Sequence, residues 1–210
     1  MENSFQDEHG TPEYDTLAAF AGEIVYRLPE CDDLTVRKTL QSVYRDFCRK
    51  TCALRTDRCI ALEHGVRAYP LPAMTADCAV DCIVGAVFEN GMEAGGGGYR
   101  ADGCGAVVFA PWLLPGEGET RRVMVTCVEV PRVGSERVPR WFLDRHCDAL
   151  ASGALARLLA MSGRTWSDPS MAFDEARRYE YALTEARARH HTGDGLSAGK
   201  LNYFKKGLIV

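Results

Sequence analysis

The stretch Cys48-Arg49-Lys50-Thr51-Cys52 sets two thiols four residues apart, and Cys59 and His64 follow closely. These residue types bind zinc or carry out thiol chemistry. A structural zinc site, however, draws four ligands from close pairs such as C-x2-C. The steps here are four, seven and five residues, and no C-x2-C occurs among the nine cysteines. The four candidates also fall on a predicted helix, a loop and a strand. Packing is therefore the favoured reading, with Cys48 and Cys52 flanking the apolar stripe of a helix. Cys78 and Cys82 share one side of a predicted strand by their even spacing, and Cys104 and Cys127 read as packing residues. Cys59, at a strand start, keeps a reactive option open.

Other candidates for chemistry are weaker still. Gly95 to Gly98 precede Tyr-Arg-Ala-Asp-Gly-Cys-Gly, but no Gly-Lys-Ser/Thr follows, so a hairpin loop is expected rather than a phosphate cradle. Ser152 and Ser162 lie outside any G-x-S-x-G elbow, and His190-His191 end a helix. Asp144, Asp148, Asp174, Glu175, Glu180 and Glu185 interleave with Arg145, Arg157, Arg177, Arg178, Arg187 and Arg189. Such alternation on helices marks a solvated or subunit-facing surface rather than a catalytic pair. No nucleophile, base and oxyanion donor assemble, and the sequence predicts neither enzyme activity nor a cofactor.

Four helices and a β insert must position these residues. Thr11 caps and Pro12 begins a first predicted helix, 12–28, with Leu17, Phe20, Ala21, Ile24 and Leu28 at helical spacing. Asp32 or Asp33 caps a second, 34–54, carrying Val36, Leu40, Val43, Phe47 and Leu54. Strands are predicted over 59–71, broken at His64-Gly65, and over 79–88, 99–110 and 122–130. A third helix from about Val138 carries Leu143, Cys147, Leu150, Ala154, Leu158 and Met161 until Gly163. Ser167 or Asp168 caps a fourth, with Ala172, Ala176, Tyr179, Leu183 and Ala186 on its buried face. The small residues of the last two helices predict a tight hairpin. The expected fold class is α+β, a four-helix antiparallel body with an inserted antiparallel β domain and an extended C-terminal arm. Its boundaries are 1–55, 56–135, 136–193 and 194–210.

Composition narrows the classes. The 210 residues are 46% hydrophobic, enough to bury a core. A net charge of −4 argues against gripping nucleic acid by bulk positive charge. The odd cysteine count and an N-terminus without signal-peptide character predict a reducing cytosol, and no apolar run approaches the roughly 18 residues of a membrane span. A soluble protein is expected.

Three segments together carry a resemblance. They are LPECDDLTVRKTLQSVYRDFCRKTCALR, an insert beginning IALEHGVRAYPLP, and VPRWFLDRHCDALASGALARLLAMSGRTWSDPSMAFDEARRYEYALTEARAR. In this order they resemble the head-to-tail adaptor (connector) proteins of tailed bacteriophages, the group of podovirus tail tubular protein A, over about residues 12–193. The resemblance implies a non-enzymatic ring, commonly of twelve subunits, assembled in the host cytoplasm and placed at the head–tail junction of the virion. Such a ring docks on the portal, supports the tail nozzle or tube, and passes double-stranded DNA through its lumen without sequence-specific binding or a membrane anchor. By the same analogy Lys200, Tyr203, Phe204, Lys205, Lys206, Leu208 and Ile209 form a portal-binding arm. Arg145, Asp148, Arg157, Arg177, Arg178 and Glu185 become candidate subunit contacts. The competing expectations are a tail-completion or tail-terminator ring and, from another class, an enzyme using Cys48, Cys52, Cys59 and His64.

Overall fold

The computed structural model describes residues 13–73, 75–95, 97–103 and 105–192. The elements run β1 (Tyr14–Thr16), α1 (Leu17–Arg27), α2 (Asp33–Thr51), β2 (Arg55–Glu63), β3 (Ala68–Pro70), β4 (Cys78–Phe88), β5 (Tyr99–Ala101), β6 (Ala106–Phe109), a 3-10 turn (Pro111–Leu113), β7 (Thr120–Pro131), β8 (Arg137–Pro139), α3 (Arg140–Leu159) and α4 (Pro169–Thr192). The protein is thus mixed α+β, with four helices and small antiparallel sheets. Two compact units divide the described chain, the first comprising 13–43 and 134–180, the second 44–133 and 181–192.

In the first unit α1 starts later than its pattern predicts. Tyr14–Thr16 are extended and pair with Arg137–Pro139, Asp15 opposite Val138. The Arg137 guanidinium lies 4.6 Å from the centre of the Tyr14 ring. This distant partner overrides local helical propensity, and Thr16 becomes the cap, accepting from the Ala19 amide at 3.4 Å. Thr11 and Pro12 lie outside the described residues. Leu17, Ala21, Ile24 and Leu28 are buried, as their spacing requires. Asp32 caps α2 with both carboxylate oxygens, accepting from the Thr35 hydroxyl at 2.7 Å and the Thr35 amide at 2.9 Å. These bonds hold the Asp32 carboxyl below its usual range.

Helix α3 buries a wider surface than one stripe. Phe142, His146, Ala149, Leu150, Gly153, Ala154, Leu155, Leu158 and Leu159 are all inside, whereas Leu143, Cys147 and Met161 are half-buried. Gly153 explains part of this. A Cβ there would stand 2.7 Å from Val43 Cγ1 and 2.8 Å from the Tyr179 ring, so only glycine admits this approach. Asp168 caps α4 through the Ser170 and Met171 amides, both at 3.0 Å. Glu175, expected on a solvated or subunit-facing surface, is instead buried within its own chain, as are Ala172 and Tyr179. Its Oε1 accepts from Arg27 Nη2 at 2.9 Å and Arg178 Nη1 at 3.2 Å, which is why the carboxylate can be inside.

The second unit holds the sheets β2-β7-β4 and β3-β6-β5, all antiparallel. Leu62, Ala86, Phe88, Val107, Phe109, Val123, Val125 and Cys127 form its core. The predicted strand 99–110 is in fact the β5–β6 hairpin, because Gly103 and Gly105 take φ of 78° and 87° and turn the chain. Strand β4 slips register twice against β7, between Val80 and Cys82 and between Ile83 and Gly85. Cys78 therefore faces Pro131 while Cys82 faces Val128, an odd step on β7. The even spacing is thus interrupted by a bulge, and period two alone does not set the sides of the two thiols.

Helix α2 ends at Thr51, before the predicted Leu54. Cys52 takes φ of 54°, the left-handed conformation of a helix C-cap, and its amide donates to the Cys48 carbonyl at 2.9 Å. Cys48 itself is fully buried rather than flanking the core. Gly98 is closely packed: its amide donates to the Gly95 carbonyl at 2.7 Å, and Leu113 Cδ1 would lie 2.6 Å from a Cβ on Gly98.

Candidate functional site

The sequence-derived candidates do not converge. Cys48 is buried in α2, Cys52 caps it, Cys59 is exposed on β2, and His64 Nδ1 sits 3.1 Å from the Pro115 carbonyl oxygen. Among the described residues no group of three or more His, Cys, Asp or Glu side chains is disposed to hold a metal ion. Burial raises the thiol pKa of Cys31, Cys48, Cys59, Cys78, Cys82 and Cys147, and pushes Cys127 up to about 11. A thiolate nucleophile near neutral pH needs the opposite shift. Cys104 and the arm residues Lys200, Tyr203, Phe204, Lys205, Lys206, Leu208 and Ile209 lie outside the described residues.

The subunit-contact candidates divide by environment. Arg145, Asp148, Arg177, Arg178 and Glu185 are exposed, Arg178 reaching Glu175 and Glu185 reaching Arg189. Arg157 is half-buried and donates to Ser42 Oγ at 2.8 Å, so it is engaged within its own chain.

A different constellation emerges in the second unit. A cleft of about 270 Å³ is lined by Arg45, Arg49, Ala79, Val80, Asp81, Val130, Pro131, Arg132 and Val133. Arg45 and Arg49 lie four apart on α2 and so share one helix face. Asp81 is the extra residue where β4 first slips register, and a bulge of this kind re-aims a side chain. Arg132 follows β7, its amide donating to the Asp77 carbonyl at 2.7 Å and its Nε to the Cys78 carbonyl at 3.1 Å.

Three arginines and one aspartate thus line the cleft. Arg49 Nε stands 3.4 Å from Asp81 Oδ1. Arg45 Nε is sealed from solvent with no hydrogen-bond partner among the described residues. Val80, Val130, Pro131 and Val133 supply an apolar wall, with Val133 83% exposed. The arrangement has no nucleophile–base pair. Its chemistry is recognition of negative charge next to an apolar surface.

The sequence held one overlooked sign of it. Arg45 and Arg49 stand four apart between Gln41 and Ala53, and the acid nearest them on the helix, Asp46, pairs with Lys50 at 3.1 Å. No protein-family model matches this chain, and no curated protein matches it.

Proposed function

We propose that this chain is the subunit of a non-enzymatic head-to-tail adaptor ring of a tailed bacteriophage, a ring of twelve copies at the head–tail junction of the virion. The observation that carries this reading is the order of elements. Two helices, a β unit and two further helices follow one another, and α4 opens at Pro169, directly after the Trp166-Ser167-Asp168 of the resembling segment. The helical segments of the first unit act as an antiparallel four-helix body. The Gly153 approach to Val43 and Tyr179, the Arg157–Ser42 bond and the Arg27–Glu175 pair support that arrangement. Among the described residues no helix is long and apolar enough to cross a membrane.

In this reading the ring docks on the portal, carries the tail nozzle or tube, and lets double-stranded DNA pass without reading its sequence. Exposed Arg145, Asp148, Arg177, Arg178 and Glu185 face neighbouring subunits through contacts that close by rotation. Residues 194–210 form the portal-binding arm.

Native mass spectrometry of the chain alone and after mixing with the portal ring tests this. Conversion to a portal-bound ring is expected, with weaker attachment after deletion of 196–210. Assembly onto tail-tube components without portal binding would replace the adaptor by a tail-completion or tail-terminator protein. Equal portal affinity of the truncated chain would remove the arm assignment.

A further inference from the structure

We propose that the arginine-lined cleft of the second unit is a docking site for an acidic side chain, Asp or Glu, flanked by an aliphatic residue on a protein partner. This inference is independent of the ring assignment, since it rests on one unit of one chain.

Charge is the first argument. Arg45, Arg49 and Arg132 outnumber Asp81, and the Arg49–Asp81 contact of 3.4 Å accounts for one guanidinium only. A carboxylate entering the cleft accepts from the forked donors that an arginine presents, the geometry in which this side chain excels. The second argument is access: the Arg49 side chain keeps 53% of its surface exposed beside Asp81, so an entering carboxylate can reach its guanidinium.

Size and lining then choose among anions. About 270 Å³ is just under the roughly 300–1,000 Å³ of small-molecule pockets, which suits a side chain better than a nucleotide or organic cofactor. Val80 and the highly exposed Val133 give the entrant an apolar surface to cover. A phosphodiester backbone offers nothing to bury there, and Asp81 repels its dense charge. An Asp or Glu with a Leu or Val beside it uses both halves of the lining.

Titration of the full chain, followed through the arginine Nε–H signals in 1H–15N spectra, tests the proposal. The probe is a capped peptide, acetyl-Gly-Leu-Glu-Val-Gly-amide, compared with its Gln counterpart, inorganic phosphate and a short DNA duplex at matched ionic strength. The Glu peptide is expected to shift the Arg49 Nε–H signal and to bind at least tenfold tighter than the Gln peptide. Arg49→Ala and Arg132→Ala each weaken it fivefold or more, and Val133→Ser weakens it at least twofold. All three side chains are exposed enough for the fold to tolerate these changes, which unchanged spectra elsewhere verify. Equal binding of Glu and Gln peptides, wild-type affinity in the arginine variants, or no binding at millimolar peptide overturns the proposal. Displacement of the peptide by lower concentrations of phosphate or duplex also overturns it, in favour of a phosphate site.

Discussion

Arginine clusters around a carboxylate in both units, with opposite results. In the helical unit Glu175 is 3% exposed and one of its oxygens holds both Arg27 and Arg178. In the sheet-bearing unit Asp81 keeps a third of its side chain exposed and, among the described residues, forms its ion pair with Arg49, while Arg132 Nε donates to the Cys78 carbonyl. The first carboxylate is committed to ordering its own helices. The second leaves positive charge available at an open apolar wall. Burial of the acid, rather than the ratio of charges, separates an internal tie from a surface that can receive something.

The contrast depends on how tightly the helical unit excludes water, and Gly153 is where it can be broken most severely. Gly153→Val forces methyl groups into space held by Val43 and Tyr179 and is expected to cost about 3 kcal/mol, read by urea unfolding followed by circular dichroism. A neutral result would mean that α3 does not approach its neighbours this closely. Glu175→Gln removes the charge but keeps the shape, and a loss of about 1–3 kcal/mol in the same assay is expected. No loss would place Glu175 in the same solvated class as Asp81. Asp81→Asn is the smallest step. Both partners of the Arg49 contact are partly solvated, so stability changes by about 0.5 kcal/mol or less, while affinity for the Glu peptide rises a few-fold. Unchanged affinity would show that Asp81 does not compete with an entering anion.

Helices α2 and α4 were legible in the sequence because their signals are local. Apolar residues recur in steps of three and four, and Asp32 and Asp168 cap where their positions predict. The start of α1 was not legible, since Tyr14–Thr16 become a strand only through partners more than a hundred residues away. Glu175 was hidden for a similar reason: its place in a charged row says nothing of Arg27 on another helix. The cleft was the least legible feature. Arg45, Arg49, Asp81 and Arg132 come from three separate segments, and Asp81 is aimed by a bulge that no period-two pattern encodes.

That bulged strand has a consequence for how copies of this chain behave at high concentration. Strand β4 lies at the edge of its sheet, and its sequence, CAVDCIVGAVF, combines high β propensity with a single charge. A flat edge of that composition is a template for fibrillar stacking. Its C-terminal half is covered, as the Phe88 amide donates to Met92 and the Ala94 amide to Ala86, both at 2.9 Å. Its N-terminal half carries the first slip of register with the carboxylate of Asp81, and the second slip follows at the middle of the strand. A strand arriving from another copy meets a bulged backbone and a negative charge there, both of which disfavour stacking onto β4.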